Sequence, residues 1–176
     1  NPNIKMPFKR YQIGEVFRDG PLSTERIREF WQCDIDIVGS KSMASDAEFI
    51  KIVQDVFKKL DFDIVIKINN RKILDAVLEY LEIPKDNRMN VILTIDKVDK
   101  LTQKEINKEL EEKKLTKKQI GKLFDLIYIE EKDNKKIIEK LKKILKKNKK
   151  LKEIEELLSY TNQKNVEFTP SLARGL

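Results

Sequence analysis

The chain has 176 residues, 38% of them charged and 40% hydrophobic, which suits one ordinary domain or two small ones and still allows a packed core. It has no histidine and a single cysteine, Cys33, so His-dependent triads, Cys- and His-rich zinc sites and an intramolecular disulfide are excluded, a pattern that suits the cytosol. No run approaches the roughly 18 apolar residues of a membrane span, and Asn1-Pro2-Asn3-Ile4-Lys5 carries no signal-peptide pattern, so a soluble cytoplasmic protein with no membrane association is expected.

From Tyr11 to Gly39 the chain reads as two strands around a basic loop. Side chains alternate along a strand, so Phe30, Gln32, Asp34 and Asp36 share one face with Arg28, while Trp31, Cys33, Ile35 and Ile37 share the other. The first face reads as polar, the second as core with Cys33 as a small buried hydrophobe. On the earlier strand Gly14, Val16 and Arg18 share a face with Phe17 opposite, and Asp19-Gly20-Pro21 breaks it into a loop holding Ser23, Thr24, Glu25 and Arg26. Arginines thus flank an aromatic ring and an amide–carboxylate pair. Guanidinium forks match phosphate oxygens and an exposed ring can stack a flat base, so the arrangement suits a nucleotide plus an amino group.

Ser45 and Glu48 have capping-box spacing and open a helix with a stripe of Phe49, Val53, Val56, Phe57 and Leu60, expected to cover the sheet. Phe62, Ile64, Ile66 and Ile68 alternate with Asp63, Val65 and Lys67, a strand expected to return to the same sheet before Asn69-Asn70 breaks it. Helical stripes follow: Ile73, Leu74, Val77 and Leu81 up to Pro84, then Val91, Ile92, Ile95 and Val98. Thr102 with Glu105 and Thr116 with Gln119 are further capping-box spacings, ahead of Ile106 and Leu110 and of Ile120, Leu123, Phe124 and Ile127. Asn162 to Phe168 returns to an extended core strand. A sheet segment, a helical excursion and a return strand predict an α+β fold with an inserted all-helical subdomain: residues 1–69 and 164–176 as core, 70–163 as insertion.

The net charge of +7 is concentrated. Lys132 to Glu153 holds 11 lysines against Asp133, Glu139 and Glu153, a local +8 that leaves −1 for the rest (7 − 8). Ile137, Ile138, Leu141, Ile144, Leu145, Leu151, Ile154, Leu157 and Leu158 recur at steps of three and four, predicting one amphipathic helix with lysine outside. A solubilising face and a nucleic-acid contact explain this charge about equally well, and the scarcity of aromatics directs any contact to phosphates.

The segment FRDGPLSTERIREFWQCDIDIVG resembles motif 2 of class II aminoacyl-tRNA synthetases, in the form found in histidyl-tRNA synthetases. Ser171-Leu172-Ala173-Arg174-Gly175-Leu176 resembles the opening of the histidine-specific motif of that family, without the Asp-Tyr-Tyr stretch that usually continues it. Two matches in the right order are specific, and the family's layout extends over nearly the whole chain. The resemblance implies a class II synthetase-type antiparallel sheet flanked by helices, with activation of histidine by ATP and Mg²⁺, transfer to tRNA, a homodimer, and an insertion that touches the tRNA acceptor stem. It gives Arg18 the α-phosphate of ATP, Arg26 the terminal phosphates and Phe30 the adenine ring. Gln32 and Asp36 match positions that hold the histidine α-amino group, although many relatives carry Glu in place of Asp36. Arg174 matches an arginine beside the α-phosphate that stabilises the transition state. The insertion's implied role makes Lys142, Lys143, Lys146 and Lys147 candidate tRNA contacts. Motif 1, motif 3 and the anticodon-binding domain are not in this sequence, so the piece by itself is expected to be weakly active or inactive.

Carboxylate attack on the α-phosphate needs no general base, because the nucleophile is already ionised; it needs positioning and cationic stabilisation of the charge building on phosphorus. A chain without histidine can supply both. With no phosphate-cradling glycine motif among its five glycines, the protein would hold ATP by side chains on an antiparallel sheet. Three other readings compete. The arginines could be surface charges of a solvated hairpin, with Asp34 and Asp36 pairing them and Phe30 in the core. The chain could be a synthetase-like regulatory or tRNA-sensing paralogue without full catalysis, or a basic RNA-binding protein in which the lysine helix suffices.

Overall fold

A computed structural model describes residues 3–20, 23, 26–98, 100–146 and 148–173. Strands β1 (Phe8–Phe17) and β2 (Glu29–Val38) form an antiparallel hairpin in unbroken register, from Phe8 opposite Val38 to Phe17 opposite Glu29. Gly39 ends it at φ 83°, where a Cβ would lie 2.7 Å from the Met6 sulfur, so both backbone angle and space call for glycine. Helix α1 (Met43–Lys59) follows, then β3 (Ile66–Ile68) and six helices: α2 (Arg71–Tyr80), α3 (Lys85–Ile95), α4 (Gln103–Glu112), α5 (Lys117–Ile127), α6 (Asn134–Ile144) and α7 (Lys149–Ser159). A 3₁₀ turn (Gln163–Asn165) leads into β4 (Val166–Phe168), which pairs with β3.

The helical caps follow the spacing in two cases. Thr102 and Glu105 satisfy each other's backbone groups at the start of α4, as Thr116 and Gln119 do at α5. The Glu105 carboxyl lies below the ordinary carboxylate range because Thr102 donates to it through its hydroxyl and its amide. At α1 the cap differs from the expected Ser45–Glu48 pair. Ser42 accepts from the Ala44 amide one turn earlier, while Glu48 is drawn to Lys9 of β1 at 2.6 Å.

One buried cluster runs from Ala47 and Ile50 of α1 through the six later helices to Val166 and Phe168 of β4 and to Ala173. α1 packs on α7 and buries Ala47 and Ile50, while its longer stripe stays exposed at Val53, Val56, Phe57 and Leu60. Leu110 of α4 has no exposed surface. We expect Leu110→Ala to cost about 2–5 kcal/mol, the range for an unrelaxed cavity, read as a lower urea midpoint at constant slope.

Three expectations about strands and burial are corrected. The run from Phe62 to Ile68 forms a strand only at Ile66–Ile68, and it pairs in parallel with β4 in a sheet of its own. A parallel pair needs a long crossover, and the helical excursion is that crossover. The expected core face of the hairpin is largely open: Trp31 is 68% exposed, Cys33 is exposed, and Tyr11 and Ile13 beside them are exposed too. The end near Ile35 and Ile37 lies beside α1, next to Glu48 and Ile52, with Lys9 paired to Glu48. The lysine-rich segment is two helices rather than one, because Asn148 caps a new start by accepting from the Lys150 amide.

Candidate functional site

The hairpin register decides which side chains share the polar face. Val16 is opposite Phe30, Gly14 opposite Gln32, Gln12 opposite Asp34 and Arg10 opposite Asp36. Paired residues of an antiparallel ladder project to the same side, so one face carries arginine at both ends and carboxylates near one of them.

At the loop end Arg18 and Phe30 come together. The Arg18 guanidinium carbon sits 4.5 Å from the centre of the Phe30 ring, and its Nε donates to the Ile27 carbonyl at 3.0 Å. The ladder extends past the strands here, the Arg18 amide donating to the Arg28 carbonyl at 2.9 Å. Arg28 Nε reaches the Gly20 carbonyl at 3.4 Å. Arg26 and Ser23 form a bridge across the loop, and the Arg26 guanidinium lies over Gly20, 3.5 Å from where a Cβ would stand. Among the described residues none of these three arginines has a carboxylate within 4.0 Å, so the loop end presents positive charge with no ion-pair partner among them.

Farther along, Gly14 leaves open space across from Gln32, since a Cβ there would meet nothing within 4 Å. Gln32 donates to Asp34 at 2.7 Å. Asp36 stands roughly 13 Å beyond Gln32 at the usual strand rise, and its carboxylate is paired with Arg10 Nε at 2.5 Å. The structure thus joins Arg18 to Phe30 and Gln32 to Asp34 but keeps Asp36 apart with Arg10. Sequence reading overlooked Arg10 as a member of this face. Counting back in twos from Arg18 reaches it.

The lysine surface is described except at Lys147. Lys142, Lys143 and Lys146 are exposed, and Lys142 reaches Glu155 of α7 at 2.6 Å. Lys136 pairs with Glu131 at 3.4 Å, and the Glu131 carboxyl is held below the ordinary range chiefly by the Asp133 amide, then by Lys136. Lys147 and Arg174 lie outside the described residues, as do Thr24 and Glu25 of the loop. No helix among the described residues is long and apolar enough to cross a membrane, and they contain no group of three or more His, Cys, Asp or Glu side chains placed to hold a metal.

The fold is α+β, and it is shared with solved aminoacyl-tRNA synthetases: the crystal structure of the histidyl-tRNA synthetase from Nostoc sp. PCC 7120 matches at TM-score 0.86 and 29% identity, over 99% of this chain and 42% of that one. The histidyl-tRNA synthetase family model matches residues 2–176, and the chain belongs to that family. Histidine–tRNA ligase 1 of Bacillus cereus is 35% identical over 180 residues, covering 100% of this chain and 41% of the relative. The histidine–tRNA ligase of Bacteroides fragilis is 39% identical, covering 98% of this chain and 39% of the relative. The chain therefore spans about two fifths of the length of these relatives. A Bacillus halodurans structure described as an ATP phosphoribosyltransferase regulatory subunit/histidyl-tRNA synthetase matches at TM-score 0.75 and 16% identity, a likeness of fold alone.

Proposed function

We propose that the protein carrying this chain is a histidine–tRNA ligase, activating histidine with ATP and passing it to tRNA. The observation that carries this reading is the arginine-lined end of the hairpin, where Arg18 is held over Phe30 with no carboxylate of the described residues within 4.0 Å. That end suits a nucleotide phosphate beside a stacked base. Arg18 would hold the α-phosphate, Arg26 the terminal phosphates and Phe30 the adenine. Gln32 or, once its pair with Arg10 is broken, Asp36 would take the amino group of histidine, the two standing roughly 13 Å apart along the strand, with Arg174 stabilising the charge that builds on phosphorus. Mg²⁺ would enter with the phosphates of ATP as part of that substrate.

The reading extends to organisation: residues 1–69 and 164–176 as part of a catalytic core, 70–163 as an insertion facing tRNA, and a homodimer in the full protein, working in the cytoplasm. The exposed apolar face of the hairpin and the open stripe of α1 favour a partner layer supplied by the remaining three fifths of a relative-length protein. By itself the piece would be weakly active or inactive.

The test is histidine-dependent ATP–pyrophosphate exchange by the intact protein. Exchange with histidine and with no other amino acid supports the ligase; ATP binding without exchange would favour the regulatory paralogue. A second measurement addresses Asp36. Asp36→Asn removes a charge that, of the two ligands, only the amino acid's ammonium needs, so calorimetry should show histidine binding weakened far more than ATP binding. The Arg10 guanidinium, freed of its counter-ion, gives ATP no reason to bind less. Equal losses for both ligands would mean that Asp36 serves the fold.

A further inference from the structure

We infer that Asn69 and Asn134 are positioning residues for the activation step, fixing the strand and loop from Val166 to Leu172 that lead into position 174. The inference rests on the ligase reading above and adds to it two side chains outside the hairpin.

Asn134 opens α6 and is 7% exposed. Its side-chain nitrogen donates to the Val166 carbonyl at 2.8 Å, and its side-chain oxygen accepts from the Phe168 amide at 2.8 Å. Those are the two bonds a neighbouring strand would make to an edge. β4 has β3 on its other side, where the Thr169 amide donates to the Ile68 carbonyl at 2.9 Å. Backbone groups of alternate residues point to opposite edges, so β3 serves Thr169 and Asn134 serves Val166 and Phe168. A neutral carboxamide is the side-chain group that offers donor and acceptor side by side for this.

Asn69, just past β3, holds the continuation. Its side-chain nitrogen donates to the carbonyls of Pro170 at 3.0 Å and Leu172 at 2.9 Å, while its oxygen accepts from the Asn70 amide at 2.8 Å. The Leu172 amide closes the turn on the Thr169 carbonyl at 2.9 Å. Asn70 is committed elsewhere, capping α2 and donating to Glu153 of α7 at 3.0 Å. The segment is therefore gripped from the end of β3 and from the start of α6 just before it reaches position 174. Without those grips, the ladder to β3 and apolar packing at Val166, Phe168 and Ala173 would still hold β4, but its outer edge and the turn from Pro170 to Leu172 would lose their side-chain anchors.

The test uses the intact protein with Asn69→Ala and Asn134→Asp, the latter keeping the acceptor and losing the donor. Both should lower kcat for histidine-dependent exchange by about 10- to 100-fold, the scale of an ångström-sized misplacement. KM for ATP and histidine should stay within about twofold, and the titrated number of active sites should be unchanged. A loss that tracks only the number of folded sites, with full kcat per site, overturns the inference; Asn69→Ala decides alone if Asn134→Asp does not fold. Arg174→Ala separates this from the ligase reading. If it slows exchange while Asn69→Ala does not, the positioning inference falls and the role of Arg174 stands. If Asn69→Ala slows exchange and Arg174→Ala does not, the role of Arg174 falls and the segment is positioned for another of its groups. When both slow it, the double variant should be no slower than Arg174→Ala, since both act through one group.

Discussion

Arg18→Ala in the intact protein should lower histidine-dependent ATP–pyrophosphate exchange by at least about 10²-fold, the scale of removing one preorganised charge donor, roughly 2.7–4 kcal/mol of barrier. The effect is expected to be large because the side chain is already committed to one position. Stacking over Phe30 at 4.5 Å and the bond from Nε to the Ile27 carbonyl orient the guanidinium before any ligand arrives, so little reorganisation is left to the reaction. No carboxylate among the described residues stands ready to neutralise it. Arg18→Lys should recover only part of the loss, since an ammonium keeps the charge but neither the fork nor the flat face that rests on Phe30. Exchange within a factor of a few of the parent protein would remove Arg18 from the site.

Reversing Lys142, Lys143, Lys146 and Lys147 to Glu should weaken tRNA binding and flatten its salt dependence by about 0.7 to 0.9 of a log unit for each phosphate no longer neutralised. Lys142 already shares its charge with Glu155 at 2.6 Å, so Lys143 and Lys146 are expected to contribute more per residue. The fold should survive, because an exposed pair of this kind is worth about 0–1 kcal/mol. Amino-acid activation should be spared, since its candidate residues lie on the hairpin, at position 174 and at Asn69 and Asn134, and none of these contacts is made by the four lysines. Nitrocellulose binding across a salt series measures the slope; an unchanged slope would make these lysines a solvated face.

Features set by neighbours in the chain were legible. The boxes at Thr102–Glu105 and Thr116–Gln119 close over three residues, and the distant Leu81 carbonyl takes only the Gln119 amide nitrogen, leaving its oxygen to the cap. Ser45–Glu48 has the same spacing, yet Glu48 meets Lys9, 39 residues away, and the cap passes to Ser42. The lysine segment kept its apolar period across Leu145 and Asn148, but an Asn that accepts from the amide two residues on starts a new helix, which a periodicity count does not see.

By itself the sequence determined the alternation of the hairpin, which puts Arg18, Phe30, Gln32 and Asp36 on one face, the stripes of the helices, the placement of charge, and the motif resemblance that the family match bears out. These depend on strand and helix periods and on residue order, which are properties of the chain alone. Only the tertiary structure decided that Asp36 pairs with Arg10, that Trp31 and Cys33 stay open while Ala47 and Ile50 are buried, and that β3 takes β4 as a parallel partner. It also decided that Asn69, legible only as a strand breaker, holds the loop at Pro170 and Leu172. Burial and pairing are settled by which element arrives opposite, and the elements involved here lie from 26 to about 100 residues apart along the chain.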